Sequence, residues 1–357
     1  MKALAFALVL LACGAAAAQP MPQLPKKFPW DHRPNKCFLP GGDVPGGGPM
    51  CVEPPRWPNY AETKRHVEMV FGEGDFDLAE IAEREVGLSK GRYDTGEYVF
   101  HAWFAALDEF TEAWGQRAKD FVQGWGKAKG REGYVPLAEG LIAYHEGWAA
   151  RGKGYANTVS PEAWAIYSRK LAEADALLDT VSPQVKQLGP WYFAKLRIAF
   201  QRQESRPQAV ALVKAGTSAW PEYLPLYNIS MTFMSPRWGG SFKEMDGVAR
   251  FALDRTDKAA GAALYALVYE RYFRGKGDGQ DTLRDSEADW DLLKQGFRDL
   301  EKSGKAPPWI WVNFAALACQ MRDREEARRL YALHDQRQPG AAASPLDACR
   351  SFAMSSQ

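Results

Sequence analysis

Histidine and cysteine are scarce in this chain, with five of each among 357 residues, and their spacing excludes much chemistry. The histidines are His32, His66, His101, His145 and His334. Tyr144-His145-Glu146-Gly147 is not the H-E-x-x-H zinc motif, because the residue four beyond His145 is Ala149. No two cysteines have C-x-x-C spacing, which disfavours zinc and thioredoxin-like chemistry. The nucleophile elbow, the P-loop and the dinucleotide fingerprint are missing too. Gly72-Glu73-Gly74 lacks the third glycine and follows a helical stretch, so it reads as a turn. The residues therefore call for no cofactor and no metal. Charge of one sign is lacking as well: 45 basic face 44 acidic side chains, for a net charge of +1. That leaves no surplus to neutralise phosphates, so nucleic-acid binding is not expected. Acidic pairs such as Asp75 with Asp77 and Asp289 with Asp291 read as solvated carboxylates rather than a glycosidase pair. No residue is singled out as catalytic, and an enzyme is the less favoured reading.

What is present starts at the N-terminus. Met1-Lys2 and the apolar run Ala3 to Leu11 lead into Gly14-Ala15-Ala16-Ala17-Ala18-Gln19, whose small residues suit cleavage after Ala18. Residues 1–18 are thus expected to be a signal peptide, making the protein periplasmic or secreted. The run is too short to span a bilayer, and no transmembrane segment is expected after its removal. Leu10-Leu11-Ala12-Cys13 loosely resembles a lipobox, but cleavage there would leave a signal of only 12 residues, so anchoring at Cys13 is the less favoured alternative.

Export makes the remaining cysteines readable as a disulfide framework. Cys37, Cys51, Cys319 and Cys349 allow three connectivities, and their clustering favours Cys37–Cys51 and Cys319–Cys349. The alternative for Cys319 is a buried thiol on an apolar helix face.

Composition divides the rest of the chain. Residues 19–58 hold 11 of the 23 prolines together with Gly41-Gly42 and Gly46-Gly47-Gly48. Such a segment cannot sustain a helix or a ladder and is expected to be an irregular arm, stapled if Cys37 and Cys51 join. Residues 59–340 read as helix, with no convincing strand, and 341–357 as a C-terminal tail. Phe100, Trp103, Phe104, Leu107 and Phe110 recur at helical spacing on one face. Ser160-Pro161-Glu162 reads as an N-cap with proline at the first helical position. Ser205-Arg206-Pro207-Gln208 and Ser241-Phe242-Lys243-Glu244 fit the capping box. Helices of about 11 to 18 residues with short connections predict antiparallel hairpins.

These hairpins repeat. Trp311, Phe314, Ala315, Ala327, Tyr331 and Pro339 fall at the spacings of a tetratricopeptide unit, and Phe193, Leu196, Phe200, Ala209, Val213 and Pro221 repeat the pattern earlier. Arg197 and Gly216 stand where alanine-like residues are usual, and Ala318 and His334 depart in the last unit. The predicted fold is all-α, stacked antiparallel helical hairpins forming a tetratricopeptide-like α-solenoid behind the Pro/Gly-rich arm. In the unit that starts at Tyr227 and resumes at Ala249 and Leu253, about six residues are surplus. They form the turn Pro236–Ser241, inserted between two helices, the kind of interruption where function tends to sit.

Several landmarks resemble a known family. They are Asp75-Phe76-Asp77-Leu78, Trp148-Ala149-Ala150-Arg151-Gly152-Lys153-Gly154-Tyr155-Ala156, Pro236-Arg237-Trp238-Gly239-Gly240-Ser241, and Asn313-Phe314-Ala315-Ala316-Leu317-Ala318-Cys319 followed by Asp323. Over roughly residues 60 to 340 the chain resembles an uncharacterised bacterial domain-of-unknown-function family with tetratricopeptide-like repeats. The resemblance implies a helical-repeat fold and carries no activity, cofactor or catalytic residue.

Two aromatic-and-arginine constellations remain as candidate binding residues: Trp148, Arg151 and Tyr155, and Arg237 with Trp238. Arginine and tryptophan together offer a planar donor fork and a stacking face. The competing reading has Trp238 tucked between helices and Arg237 satisfying helix-end carbonyls. The expected function is an exported scaffold binding a protein or peptide partner. The alternative is a cell-wall glycan or peptidoglycan binder, or a weak glycan hydrolase, suggested by 13 tryptophans in an exported chain.

Overall fold

The computed structural model describes residues 59–202, 206–274, 282–307, 309–338 and 347–355, together with the backbone of two short strands. The strands, β1 (Lys36–Phe38) and β2 (Met50–Val52), pair antiparallel with Cys37 opposite Cys51. This corrects the expectation that residues 19–58 hold no ladder: neither three-residue strand contains a proline, so every backbone donor needed for pairing is present. The side chains of Cys37 and Cys51, the signal segment and Ser205 lie outside the described residues.

Among the described residues the rest of the structure is built on α-helices. In chain order these are α1 (Tyr60–Glu73), α2 (Phe76–Ala82), α3 (Val99–Lys129), α4 (Val135–Arg151), α5 (Pro161–Thr180), α6 (Pro183–Lys186), α7 (Gly189–Gln201) and α8 (Arg206–Ala219). They continue with α9 (Leu224–Phe233), α10 (Phe242–Ala260), α11 (Ala263–Phe273), α12 (Trp290–Ser303), α13 (Ile310–Gln320), α14 (Arg324–Arg337) and α15 (Asp347–Met354). Sequence neighbours pack on one another: α4 on α5, α7 on α8, α10 on α11 and α13 on α14.

Local chemistry explains the boundaries. Asn59, Asp75, Ser160, Asp289 and Asp323 each cap a helix by accepting an amide of the first turn. The expected apolar face of α3 is buried throughout, from Phe100 to Phe110. That helix is longer than the expected range, 31 residues, and bends at Gly115, whose φ of 41° and ψ of −107° are non-helical. Within the C-terminal tail, α15 packs on α13 and α14, and Cys349 is joined to Cys319 by a disulfide.

Three apolar clusters result. The first gathers α1 to α5 around Trp103, Phe104, Trp125 and Leu141. Another gathers α9 to α14 around Tyr227, Tyr269, Phe297, Trp311 and Phe314. A small one at the seam joins Tyr98 and Phe100 to Leu196, Tyr223 and Leu226. No helix of the described residues is long and apolar enough to cross a membrane.

Candidate functional site

The turn that interrupts the helices is explained by its backbone. Pro236–Trp238 make one 3-10 turn, and Gly239 closes it at a φ of 82°, where glycine avoids the penalty a side chain would meet. Gly240 lies so close to the carbonyl of Met234 that a Cβ would collide with it. Ser241 caps α10 by accepting the Glu244 amide, 3.2 Å. The capping box is not reciprocal as expected. Glu244 accepts from the Ser241 hydroxyl, because the Ser241 amide is already given to Met234 O, 2.9 Å.

Trp238 leans on Phe233, ring centroids 4.6 Å apart, and stays 38% exposed. Arg237 is exposed beside it. In the other constellation Arg151 has a structural task. It donates to the carbonyls of Gly152 and Gly154 at 3.0 and 3.1 Å, and its guanidinium lies over the rings of Trp148 and Trp164. Trp148 is half-buried, whereas Tyr155 is 78% exposed. His145 does not pair with Glu146: His145 Nε2 meets Asp108 Oδ1 at 2.9 Å, and Glu146 bridges to Lys170 at 2.7 Å.

None of these residues lines a cavity of about 550 Å³ found at the seam. Its wall draws Tyr60 from α1, the 92–98 turn, His101 from α3, Phe193 from α7, Asn228 and Ile229 from α9, Leu264, Leu267 and Arg271 from α11, and Leu300 from α12. Lys305, Trp309 and Ile310 complete it. This volume lies in the range of small-ligand sites, which are mostly apolar with few polar groups.

Those polar groups are well defined. Arg92 bridges to Glu222 at 2.7 Å and donates to the Tyr98 hydroxyl at 2.6 Å, bracing the turn against the segment before α9. His101 Nδ1 and Tyr223 Oη share a hydrogen bond of 2.7 Å, and the imidazole stacks between Tyr60 and Phe104. Burial pushes the imidazole down to about 4, with Arg197 and Arg271 acting the same way against the pull of Asp108, so His101 is neutral at neutral pH. Burial also pushes the Tyr60 phenol up to about 12 and that of Tyr223 well above its ordinary value.

Behind the wall sits a buried charge network. The Arg197 guanidinium grips Asp108 with two bonds of 2.7 and 2.9 Å and lies over Tyr144 and Phe193. Burial alone would raise the Asp108 carboxyl, but Arg197 and His145 outweigh it and hold the group well below the usual carboxylate range. This explains the sequence departure at Arg197: the position faces a carboxylate from α3 rather than a helix backbone. Gly216 keeps the small-residue role, since a Cβ there would crowd Leu226 and Tyr192.

Neutral imidazole, protonated phenols and a paired arginine make this wall suited to holding a ligand. Comparison with protein-family models, curated proteins and solved structures found no match. The functional reading therefore rests on the geometry of the seam. Sequence reasoning missed this site because its residues are scattered from Tyr60 to Ile310 and share no motif. The one available signal was His101 on the apolar face of α3.

Proposed function

We propose that this protein is an exported, non-enzymatic binding protein of stacked, tetratricopeptide-like helical hairpins that takes an apolar ligand into the seam cavity. The single observation that carries the reading is the 550 Å³ cavity between the N-terminal and C-terminal apolar clusters. Pairwise packing of successive helices supports a repeat architecture, which leaves concave surfaces between units. Export is supported by the charged, apolar and small-residue pattern of residues 1–18, and by the Cys319–Cys349 disulfide, a bond that persists in oxidising compartments.

A neutral solvatochromic dye such as Nile red tests the cavity. Leu267→Trp fills it from α11, so the variant should lose the blue-shifted emission while keeping its circular dichroism and melting temperature. Equal dye binding by a folded Leu267→Trp protein would sink the reading.

A second reading places a protein or peptide partner on the outer surface at Arg237 and Trp238, favoured by the exposure of that tryptophan. Partners recovered from envelope extract should drop with Arg237→Ala/Trp238→Ala, and equal recovery would count against the site. Co-sedimentation with purified sacculi would point to a glycan partner instead.

A further inference from the structure

The polar inventory of the seam cavity narrows what it can hold. Among its lining residues, one side-chain polar atom is buried without a hydrogen-bond partner: the Asn228 Oδ1 on α9. A buried carbonyl oxygen left without a donor is costly, and a ligand N–H or O–H would relieve that cost. Charge at the mouth is the second constraint. Arg92 is neutralised by Glu222, whereas Glu97 accepts from the Thr95 hydroxyl and keeps its charge, so with Arg271 and Lys305 the charged lining is positive by one. Arg271, in the last turn of α11, and Lys305 are exposed at the rim and have no ion-pair partner among the described residues. Apolar side chains, among them Ile229, Leu264 and Leu267, line the same cavity.

An anionic head therefore has two cations to meet, an apolar body has a wall to cover, and one donor has a waiting acceptor. A peptide of similar bulk would bring several amide groups into a wall with a single orphan acceptor, and burying the rest unpaired would oppose binding. A cationic amphiphile would face the free rim cations.

We propose that the cavity binds a medium-chain hydroxy-carboxylic acid as its anion, the carboxylate at Arg271 and Lys305, the hydroxyl donating to Asn228, and the chain against Ile229, Leu264 and Leu267. The assignment rests on the seam cavity being the binding site, and the test separates the two.

Nile red is bound first and then displaced by β-hydroxydecanoate, decanoate, decanol or decyltrimethylammonium. The expected order of displacement is β-hydroxydecanoate, then decanoate, then decanol, with the cation weakest. Arg271→Met/Lys305→Met, both at exposed positions, should weaken the two carboxylates by about tenfold and leave decanol unchanged, the size expected for losing a charge-assisted hydrogen bond. Asn228→Leu should erase the advantage of β-hydroxydecanoate over decanoate. Decanol or the cation displacing the dye as well as decanoate would overturn the assignment while leaving the cavity as the site. Unchanged carboxylate binding in the Met variant would do the same. Failure of the wild-type protein to bind Nile red at all would remove the cavity reading itself.

Discussion

His101 ties the seam to pH. The imidazole is packed between Tyr60 and Phe104, bonded to Tyr223, and its pKa falls from 6.5 to about 4 mainly through burial. The folded protein therefore prefers the neutral ring, whereas the unfolded chain takes up a proton near the ordinary value. In the window between pH 6.5 and pH 4 the unfolded state binds more protons, so stability falls as pH is lowered through it. At about 1.4 kcal/mol per unit, the loss attributable to this one ring is about 3 kcal/mol, complete near pH 4. Urea unfolding at several pH values across the window gives the wild-type profile. His101→Gln supplies a neutral, polar side chain that does not titrate, and subtracting its profile removes whatever is common to the two proteins. The difference should slope upward with pH between 4 and 6.5 and flatten on either side. Parallel profiles for the two proteins would refute the claim that His101 is held neutral by burial.

Arg197→Met should cost about 3 kcal/mol or more in urea unfolding, because it strands the buried Asp108 carboxylate. Adding Asp108→Asn should recover part of that loss, and a single variant within about 1 kcal/mol of wild type would contradict the network's role. Removing the Cys319–Cys349 bridge by Cys319→Ala/Cys349→Ala should lower stability by about 3 kcal/mol, given a separation of 30 residues; if thiol titration of the denatured, unreduced protein finds both sulfurs free, the bridge is wrong. Gly240→Ala should destabilise by about 2 kcal/mol or more through collision with the Met234 carbonyl, and a melting curve identical to wild type would refute that close approach.

Much of the architecture was legible because it depends on local spacing. Phe100, Trp103, Phe104, Leu107 and Phe110 share one face at helical period, and all five are buried. Ser160 and Ser241 announced two helix starts, since a cap is a property of a few adjacent residues. Cys319–Cys349 was favoured by clustering alone and is formed. The misreadings arise where a distant partner outbids a local rule. Glu244 bonds the Ser241 hydroxyl instead of its amide because Met234 holds that amide. Proline density argued against a ladder in residues 19–58, yet strands need only three proline-free residues each to pair.

The same distinction separates the two places where a ligand was sought. A motif such as Pro236-Arg237-Trp238-Gly239-Gly240 attracts notice because its composition is unusual, but four of its five residues have backbone or packing tasks: Pro236 and Gly239 shape the turn, Gly240 passes under a carbonyl, and Trp238 covers Phe233. Only Arg237 is left without one. The cavity draws on ordinary residues, a leucine here and an asparagine there, each unremarkable in its own helix. Asn228 becomes informative only once α9 lies against α11 and its amide oxygen is sealed from water without a donor. Arg271 becomes informative only once Glu222 is seen to be spent on Arg92. Which polar groups remain unsatisfied is decided by tertiary packing, so a site defined by unsatisfied groups has no signature along the chain.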